Sequence, residues 1–409
     1  MRYREALRFL YALELRGVRL GLLPMKRALA LSGHPERTLR FVHVAGTNGK
    51  GSVAAMIEAA LREGGFRTGL YTSPHVHRFA ERIRINGRPI FDQEIEHHVT
   101  SLKRLLTGRG APRLTFFEAT TWVALEAFRS HRPDVVVLET GLGGRLDATN
   151  VVSPEVSVIT SVGMDHEALL GHTLVSIARE KAGIIKRGVP VVVGARQRNV
   201  RAVILRKARA SSAQALLIDR DFRAQPSGLA LPGVHQLDNA ACARAALGLL
   251  SDRGFAVSNA TTRRAFAAVR WPGRLENVAG RPPVLLDAAH NPDGCKALAS
   301  YLRALRRPGK RVLLFGAMTD KNTRAMLKAL DGVVDARVYT STGMTRSEAP
   351  STLASIRPGE CTESVRDALR LARRLAGPRG LVVVAGSIFV MAEARRWLLR
   401  PRTDPLIAL

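Results

Sequence analysis

Cysteine is scarce in this chain of 409 residues, which contains only Cys242, Cys295 and Cys361. These residues are widely spaced and form no C-x-x-C pair. An odd number of separated cysteines argues against a disulfide framework and against a zinc site. Such cysteine usage is typical of a reducing compartment, so we expect a cytoplasmic location.

Long apolar runs are also absent. Nowhere do about 18 apolar residues follow one another, so the sequence predicts no membrane span. The N-terminal stretch MRYREALRFLYALELRG is interrupted by charges too often to be a secretory signal. We therefore expect a soluble protein with no membrane partner.

Acidic residues are outnumbered by basic ones, with 34 Asp and Glu against 63 Lys and Arg and a formal net charge of +29. A nucleic-acid-binding protein concentrates its basic residues in a stripe or tail and adds aromatic stacking partners. Here arginine is spread along the whole chain, and aromatic residues make up only 5% of it. We interpret the charge as a basic surface that attracts anionic small molecules, with nucleic-acid binding as the less favoured alternative.

The length and a hydrophobic content of 46% are enough for packed cores in roughly two or three domains. Short β-branched runs alternate with amphipathic helical stretches, such as residues 52–65, which is typical of parallel α/β architecture. Strands are predicted at residues 41–46, 68–73, 134–140, 156–162, 190–194, 283–289, 310–316, 335–340 and 380–386.

A break in this alternation is predicted at residues 271–283, where Gly, Pro and Arg cluster and neither a strand nor a helix pattern persists. We therefore predict an N-terminal mononucleotide-binding parallel-sheet domain of residues 1–272. A linker of residues 273–282 and a smaller, Rossmann-like α/β domain of residues 283–409 follow it.

The stretch VAGTNGKGS, residues 44–52, is similar to a phosphate-binding loop but departs from the common pattern G-x-x-x-x-G-K-[ST]. A second glycine, Gly51, follows Lys50, and the hydroxyl residue arrives one place late at Ser52. An apolar strand precedes the loop and a helix follows it, so backbone N–H groups and the helix N-terminus would point at a bound anion. The stretch predicts a nucleotide phosphate site, with Lys50 against the β- and γ-phosphates.

The sequence G-T-N-G-K-G-S resembles the loop of the folylpolyglutamate synthase and dihydrofolate synthase family, relatives of the Mur ligases. The resemblance continues in order through both predicted domains, so it covers most of the chain. It includes YTSPHVHRFAERIRING (71–87), LTFFEATT (114–121), ETGLGGRLDATN (139–150), MDHEALLG (164–171), IAREKAGI (177–184), HQLDNA (235–240), PGRLE (272–276), DAAHNP (287–292) and GAMTDK (316–321).

The resemblance implies an ATP-dependent ligase whose substrates are ATP, L-glutamate and either dihydropteroate or a reduced folate. ATP phosphorylates a carboxylate, the amine of glutamate attacks the acyl phosphate, and phosphate leaves. The sequence leaves open which of the two pterin substrates is used, and whether a monovalent cation is also needed. We expect a monomer.

The family's site residues can be carried over to matching positions in this chain. For ATP these are Thr47, Asn48, Gly49, Lys50, Gly51, Ser52, Asn239, Arg274 and Asp287. Two Mg²⁺ sites are implied, one at Ser73 and Glu139, the other at His166 and Lys181, where the lysine would be a carbamate.

The remaining carried-over positions concern catalysis and the substrates. Asp287, His290 and Ser387, with Lys50, are implied in glutamate handling or the chemical step. Phe116, Phe117 and Arg145 match positions on the pterin side, where aromatic faces suit a flat heterocycle.

Two other functions remain as alternatives. A Mur-type ligase of cell-wall synthesis usually carries an extra N-terminal domain, whereas only 45 residues precede Gly46, fewer than the roughly 50 of a small domain. A non-catalytic nucleotide- or nucleic-acid-binding protein is disfavoured because Lys50, Glu139, His166 and Lys181 are all present.

Overall fold

The computed structural model describes residues 1–17, 19–225, 228–341, 344 and 346–404. Two α/β units follow one another, and each has a mostly parallel sheet flanked by helices. Within the described part of the chain, no helix is long and apolar enough to cross a membrane.

The first unit contains an eight-stranded sheet in the order β4-β3-β2-β5-β1-β6-β7-β8. The strands from β2 to β8 in this order are parallel, while β3 and β4 add an antiparallel edge. The strands are β1 (Phe41–Ala45), β2 (Thr68–Tyr71), β3 (Ile83–Ile85), β4 (Arg88–Pro89), β5 (Val135–Glu139), β6 (Val156–Ile159), β7 (Val191–Val193) and β8 (Ala215–Leu217). The helices are α1 (Tyr3–Ala12), α2 (Leu23–Leu31), α3 (Lys50–Glu63), α4 (Asp92–Thr107), α5 (Phe116–His131), α6 (Glu167–Leu170), α7 (Leu174–Ala182), α8 (Arg198–Ala210), α9 (Val234–Ser251) and α10 (Asn259–Ala268).

The central position of β1 and β5 in this sheet is explained by their amino-acid composition. β1 and β5 are apolar except for His43 and Glu139, and both are buried along their whole length, as central parallel strands must be. The helix α3 is rich in alanine and buries most of its residues against the sheet. Because β1, β5 and β6 are neighbouring parallel strands, the loops after them meet at one edge of the sheet.

The second unit contains a six-stranded sheet in the order β13-β12-β11-β14-β10-β9, in which only β9 is antiparallel to its neighbour. Its strands are β9 (Glu276–Val278), β10 (Val284–Leu286), β11 (Arg311–Phe315), β12 (Ala336–Thr340), β13 (Glu360–Thr362) and β14 (Leu381–Ala385). Its helices are α11 (Pro292–Ala304), α12 (Thr323–Ala329), α13 (Pro350–Ile356), α14 (Val365–Ala376) and α15 (Ile388–Leu399).

Every predicted strand contains an observed one, and the predicted parallel α/β fold class is confirmed. The prediction of a linker without strand pattern at residues 273–282 was wrong in one respect, because β9 lies within it and pairs with β10. The three residues of β9 form a strand through backbone pairing with a neighbour, and only Val278 is buried. A local apolar pattern could not reveal such an edge strand.

The segment after α15 returns to the first unit. Asp404 accepts hydrogen bonds from the backbone N–H of Phe79 at 2.6 Å and from the hydroxyl of Tyr3 at 2.7 Å. Its own N–H donates to the carbonyl of His77 at 3.1 Å. These contacts attach the end of the second unit to the loop between β2 and β3, which carries Ser73.

We expect Asp404→Ala to destabilise the protein, because it leaves the hydroxyl of Tyr3 and the N–H of Phe79 without their acceptor. The free energy of unfolding should fall by about 1–3 kcal/mol, measured by urea denaturation. Arg402→Ala is the matched control, since Arg402 pairs with Asp92 at 2.8 Å through a side chain that is 74% exposed. A loss for Arg402→Ala as large as that for Asp404→Ala would contradict this assignment.

Candidate active site between the two units

A cavity of about 750 Å³ lies between the two units. The first unit contributes the loop after β1, residues that follow β5, β6 and β7, and the N-terminal turn of α9. The second unit contributes the loop after β10 and the beginnings of α11 and α15. The predicted phosphate loop therefore faces the predicted residues of the second unit across one cleft.

The phosphate loop is held in place by the segment after β6. The side chain of Thr47 accepts from the N–H of Gly163 at 3.0 Å, and the N–H of Asn48 donates to the hydroxyl of Ser161 at 3.0 Å. Thr160 also donates its hydroxyl to the carbonyl of Asn48 at 2.7 Å. The loop is thus fixed by protein contacts of its own, as preorganised anion binding requires.

Gly49 precedes α3 with φ of 87°, a left-handed value that glycine adopts without steric cost. A Cβ atom at this position would also overlap with Oδ1 of Asn239, which lies at the cleft in α9. Both the backbone conformation and this close approach therefore require glycine. The contact confirms that Asn239 lies beside the loop.

Lys50 places its ammonium at the cleft, where Nζ donates to the carbonyls of Gly46 at 3.2 Å and Thr47 at 3.3 Å. Ser52 is buried, and its hydroxyl lies 3.4 Å from Nε2 of Gln236 in α9. The lysine is paired only with neutral carbonyl groups, so an anionic phosphate would be a stronger partner for it.

Glu139, the last residue of β5, is a buried carboxylate at the cleft. Burial raises the pKa of Glu139 to about 7, against the opposing effects of the Lys50 charge and the Ser73 N–H. That N–H lies 3.3 Å from Oε2 of Glu139, so the predicted magnesium pair is brought together.

The donor set suits a cation that takes few ligands from the protein. Within the described residues, no group of three or more His, Cys, Asp and Glu side chains is arranged to hold a metal ion. Magnesium commonly takes one or two carboxylates and completes its coordination with phosphate oxygens and water. Glu139 beside the phosphate loop fits that pattern.

His166 lines the cleft, whereas Lys181 is not among the residues that line it, and the two residues belong to different elements. His166 precedes α6, and burial lowers its pKa to about 4, so the imidazole is neutral and can act as a ligand. Lys181 lies in α7 and is 3% exposed. Burial, reinforced by the charge of Lys50, lowers the pKa of Lys181 to about 7, so much of this amine is neutral near pH 7.

The predicted residues of the second unit all line the cleft. Asp287 is buried and accepts from the N–H groups of Leu275 and Ala289, both at 2.9 Å, so it fixes the backbone on either side of it. Nδ1 of His290 lies 2.9 Å from the carbonyl of Ala288 and donates to it, and Nε2 lies 3.6 Å from Oδ2 of Asp165.

Ser387 and Arg274 complete this wall of the cleft. Ser387 caps α15 by accepting from the N–H of Phe389 at 3.1 Å, and its hydroxyl hydrogen remains available as a donor. Arg274 donates to the carbonyl of Gly273 at 3.1 Å.

The residues predicted for the pterin side lie outside the walls of this cavity. Phe116 stacks on Tyr11 with ring centroids 5.4 Å apart, and the guanidinium of Arg82 lies 5.2 Å from its centroid. Phe117 packs against Gly141, where a Cβ atom would overlap with its ring. Arg145 pairs with Glu180 at 2.8 Å and is largely exposed.

Sequence reasoning missed a cluster that joins the two units, which we call the Asp165 cluster and which consists of Asn48, Asp165, Asn291 and Lys321. Lys321 Nζ lies 2.6 Å from Oδ1 of Asp165, and Asn291 donates to the other carboxylate oxygen at 3.0 Å. The amides of Asn291 and Asn48 also pair with each other, at 3.0 and 3.1 Å. The motifs MDHE and MTDK contained these residues, but nothing in their spacing indicated the contact.

The electrostatics of this cluster favour a charged carboxylate. Burial alone would raise the pKa of Asp165, but the nearby His290 and the ammonium of Lys321 outweigh burial and hold this pKa well below its ordinary value. The result is an ion pair in which both side chains are less than 10% exposed. Of this pair, Lys321 lines the cleft.

Comparisons with known proteins agree with this geometry. The Mur ligase middle domain model matches residues 44–247, and the model of the Mur ligase glutamate ligase domain matches residues 273–388. A dihydrofolate synthase/folylpolyglutamate synthase of Bacillus subtilis (strain 168) is 36% identical, over 97% of this chain and 99% of its own. This chain belongs to the folylpolyglutamate synthase/dihydrofolate synthase family.

Solved structures of this family show the same fold. Escherichia coli FolC in complex with DHPP and ADP aligns with a TM-score of 0.89 at 32% identity, covering 96% of this chain and 97% of that one. A bifunctional folylpolyglutamate synthase/dihydrofolate synthase with Mn, AMPPNP and L-glutamate bound aligns with a TM-score of 0.88 at 34% identity, covering 96% and 98%. The two-domain arrangement is therefore that of the folylpolyglutamate synthases.

We expect Lys321→Met to weaken the contact between the units, because it removes the cation closest to the buried carboxylate of Asp165. The free energy of unfolding should fall by on the order of 3 kcal/mol, measured by urea denaturation. Lys296→Met is the matched control: Lys296 pairs with Asp293 at 2.9 Å, but its side chain is 68% exposed. Such exposed pairs contribute about 0–1 kcal/mol. Equal losses in the two variants would show that the Asp165 cluster does not hold the units together.

Proposed function

We propose that the cleft between the units is the active site of an ATP-dependent ligase that joins L-glutamate to the carboxylate of dihydropteroate or a reduced folate. The observation that carries this proposal is the position of Lys50 and Glu139 opposite Arg274, Asp287 and His290 around one cavity. The chain is a member of a family of ATP-dependent ligases, and its similar structures hold DHPP with ADP, or AMPPNP with L-glutamate.

The phosphate loop would bind the β- and γ-phosphates of ATP. Backbone N–H groups at the start of α3 are not used within the helix, so they are available to phosphate oxygens. Lys50 would exchange its two carbonyl partners for the phosphates, and Arg274 would approach them from the other unit. Asn239, beside Gly49, would contact the nucleotide next to them.

Glu139 and Ser73 would hold a magnesium ion. When bound, this ion neutralises negative charge on the phosphoryl group in transfer. A cation at this place favours the ionised form of Glu139, so nucleotide binding with its metal should release a proton from the carboxyl group near pH 7. The presence of two magnesium sites, and any requirement for a monovalent cation, are also parts of this proposal.

Lys181 would serve a second magnesium as a carbamate together with His166. The amine nitrogen attacks the carbon of CO₂ and loses a proton, so a cation becomes an anionic oxygen ligand. This step needs a neutral amine, and the lowered pKa of Lys181 supplies one. Within the described residues, Nζ of Lys181 has no hydrogen-bond or ion-pair partner that would compete with the modification.

The second unit would hold glutamate for attack on the acyl phosphate. The imidazole of His290 would lie beside the bound glutamate, and the hydroxyl of Ser387 can donate to a glutamate carboxylate. Asp287 would act through the backbone that it fixes around Arg274 and His290. The aromatic rings of Phe116 and Phe117, with Arg145, would lie on the pterin side.

The end of the first domain at residue 272, a monomeric state and a cytoplasmic location are further parts of this proposal. They rest on the break in the sequence pattern and on composition. The C-terminal unit begins by Glu276, because β9 belongs to its sheet.

The decisive experiment supplies the purified protein with Mg·ATP and labelled glutamate, and tests dihydropteroate and a reduced folate separately. We expect label to enter at least one of the two acceptors, with release of ADP and phosphate. If label enters neither dihydropteroate nor the reduced folate, the proposal is overturned. Otherwise, the acceptor or acceptors that become labelled are the pterin substrates of the enzyme.

Lys50→Ala should reduce glutamate ligation by about 100-fold or more, because the γ-phosphate loses its nearest fixed positive charge. The rate of ADP formation measures this loss. Lys207→Ala, at an exposed position of α8, is the control for a general effect of lost positive charge. Turnover of Lys50→Ala within tenfold of the wild type would exclude the proposed role.

Lys181→Ala and Lys181→Arg should both lose activity, because neither residue can form a carbamate. Short carboxylic acids in solution should partly restore Lys181→Ala by occupying the vacated space with an oxygen anion. Carbon NMR in ¹³C-labelled bicarbonate gives a second readout, in which a carbamate signal is expected in the wild type and not in Lys181→Arg. Lys186→Arg is the control for replacing a lysine of lowered pKa. The pKa of Lys186 is lowered to about 8, but its Nζ donates to the carbonyl of Asn150 at 2.9 Å. Full activity of Lys181→Arg would remove the second metal site from the mechanism.

A further inference from the structure

The extra glycine of the phosphate loop lies against an aromatic side chain that no motif singled out. A Cβ atom at Gly51 would be 3.0 Å from Nε1 of Trp271 and 3.4 Å from Cε2, closer than side chains usually approach each other. Gly51 is part of α3, and its φ is not in the left-handed region. The backbone alone would therefore accept alanine here, and the indole would have to shift by a few tenths of an ångström to admit a methyl group.

Trp271 is itself held from two directions. The guanidinium of Arg84, on β3, lies 5.4 Å from the centroid of the indole. The indole also packs, partly buried, against the core cluster that includes Val53 of α3 and Phe266 of α10. An indole with such neighbours gives way less easily than the end of a flexible chain, so a methyl group at Gly51 would have to displace the loop or the ring.

The position of Trp271 in the chain gives this contact a consequence for the site. Trp271 precedes Arg274 by three residues, in the segment that leads from α10 into the second unit. Its partner in this contact, Gly51, follows Lys50 directly in the chain. One packing contact therefore relates two of the cationic side chains that line the cleft, Lys50 and Arg274.

We propose that Trp271 is a positioning residue for phosphate binding: its indole, set against Gly51, fixes the first turn of α3 relative to the segment that carries Arg274. This inference rests on the proposed role of the loop in binding ATP. It also gives a physical reason for glycine at the place where the common loop pattern has its hydroxyl residue.

The test is a double-mutant cycle on Gly51→Ala and Trp271→Leu. Each single variant should lower kcat/KM for ATP by on the order of tenfold, the first through overlap with the indole and the second through loss of the support. The double variant should be no worse than Trp271→Leu, because leucine leaves room for the new methyl group. Trp397→Leu, at a tryptophan that is 41% exposed, is the matched control and should keep the wild-type value.

Nucleotide binding, measured by calorimetry with AMPPNP and Mg²⁺, separates this role from a general loss of stability. The affinity of the two single variants should fall while their unfolding midpoints stay near that of the wild type. If Trp271→Leu does not fold, Trp271→Phe takes its place, and the smaller ring should reduce the effect of Gly51→Ala.

Two results would overturn the inference. The first is a double variant whose loss is the product of the two single losses, which would mean that Gly51 and Trp271 act independently. The second is a folded Trp271→Leu with wild-type affinity and kcat/KM. Failure of the proposed function is distinguishable from both, because the wild type itself would then neither bind the nucleotide nor ligate glutamate.

Discussion

The buried carboxylate of Asp165 is the interaction on which the cleft depends. Removing a charge from water is costly, so this carboxylate is stable only because Lys321 and Asn291 reach it from the other unit. Asn291 also pairs with Asn48 of the phosphate loop, and it caps α11 by accepting from the N–H of Gly294 at 2.9 Å. The relative position of the units and the shape of the loop are therefore set by one connected group of contacts.

Burial away from water also changes the electrostatics of Glu139 and Lys181. Burial raises the pKa of Glu139 and lowers that of Lys181, so both move toward their uncharged forms in the protein alone. Groups of this kind gain most from partners that restore their charge, such as a metal ion for the carboxylate or CO₂ for the amine. Both partners belong to the mechanism proposed above.

The sequence predicted the centres of both sheets and missed their edges. β14 is apolar along its whole length, and β1 and β5 are apolar except for His43 and Glu139, so their pattern is visible without any neighbour. β3, β4, β8, β9 and β13 are two or three residues long, and each lies at or next to the edge of its sheet. Their existence depends on a paired backbone that is distant in sequence, which a local pattern does not contain.

The candidate site also contains some residues that the sequence could predict and others that it could not. Lys50 and Glu139 were predictable because a strand, a loop and a helix in order place them at the sheet edge. Asp165 and Trp271 were not, because each acts through a contact with a residue more than a hundred positions away in the chain. The proposed role of Lys181 came from resemblance alone, and burial of this lysine supports the proposal because it lowers the pKa of the amine.

The attachment of Asp404 has a consequence for the order in which the protein becomes functional during synthesis. The hydrogen bond from Phe79 to Asp404 joins residues 325 positions apart. Domains emerging from the ribosome fold largely as units, so the sheet around the phosphate loop can form long before residue 404 has been translated. The loop that carries Ser73 gains its last anchor only afterwards. In the mechanism proposed above, a nascent chain would hold a folded nucleotide site before its metal ligand Ser73 is fixed, and it would not begin to consume ATP until the second unit was in place.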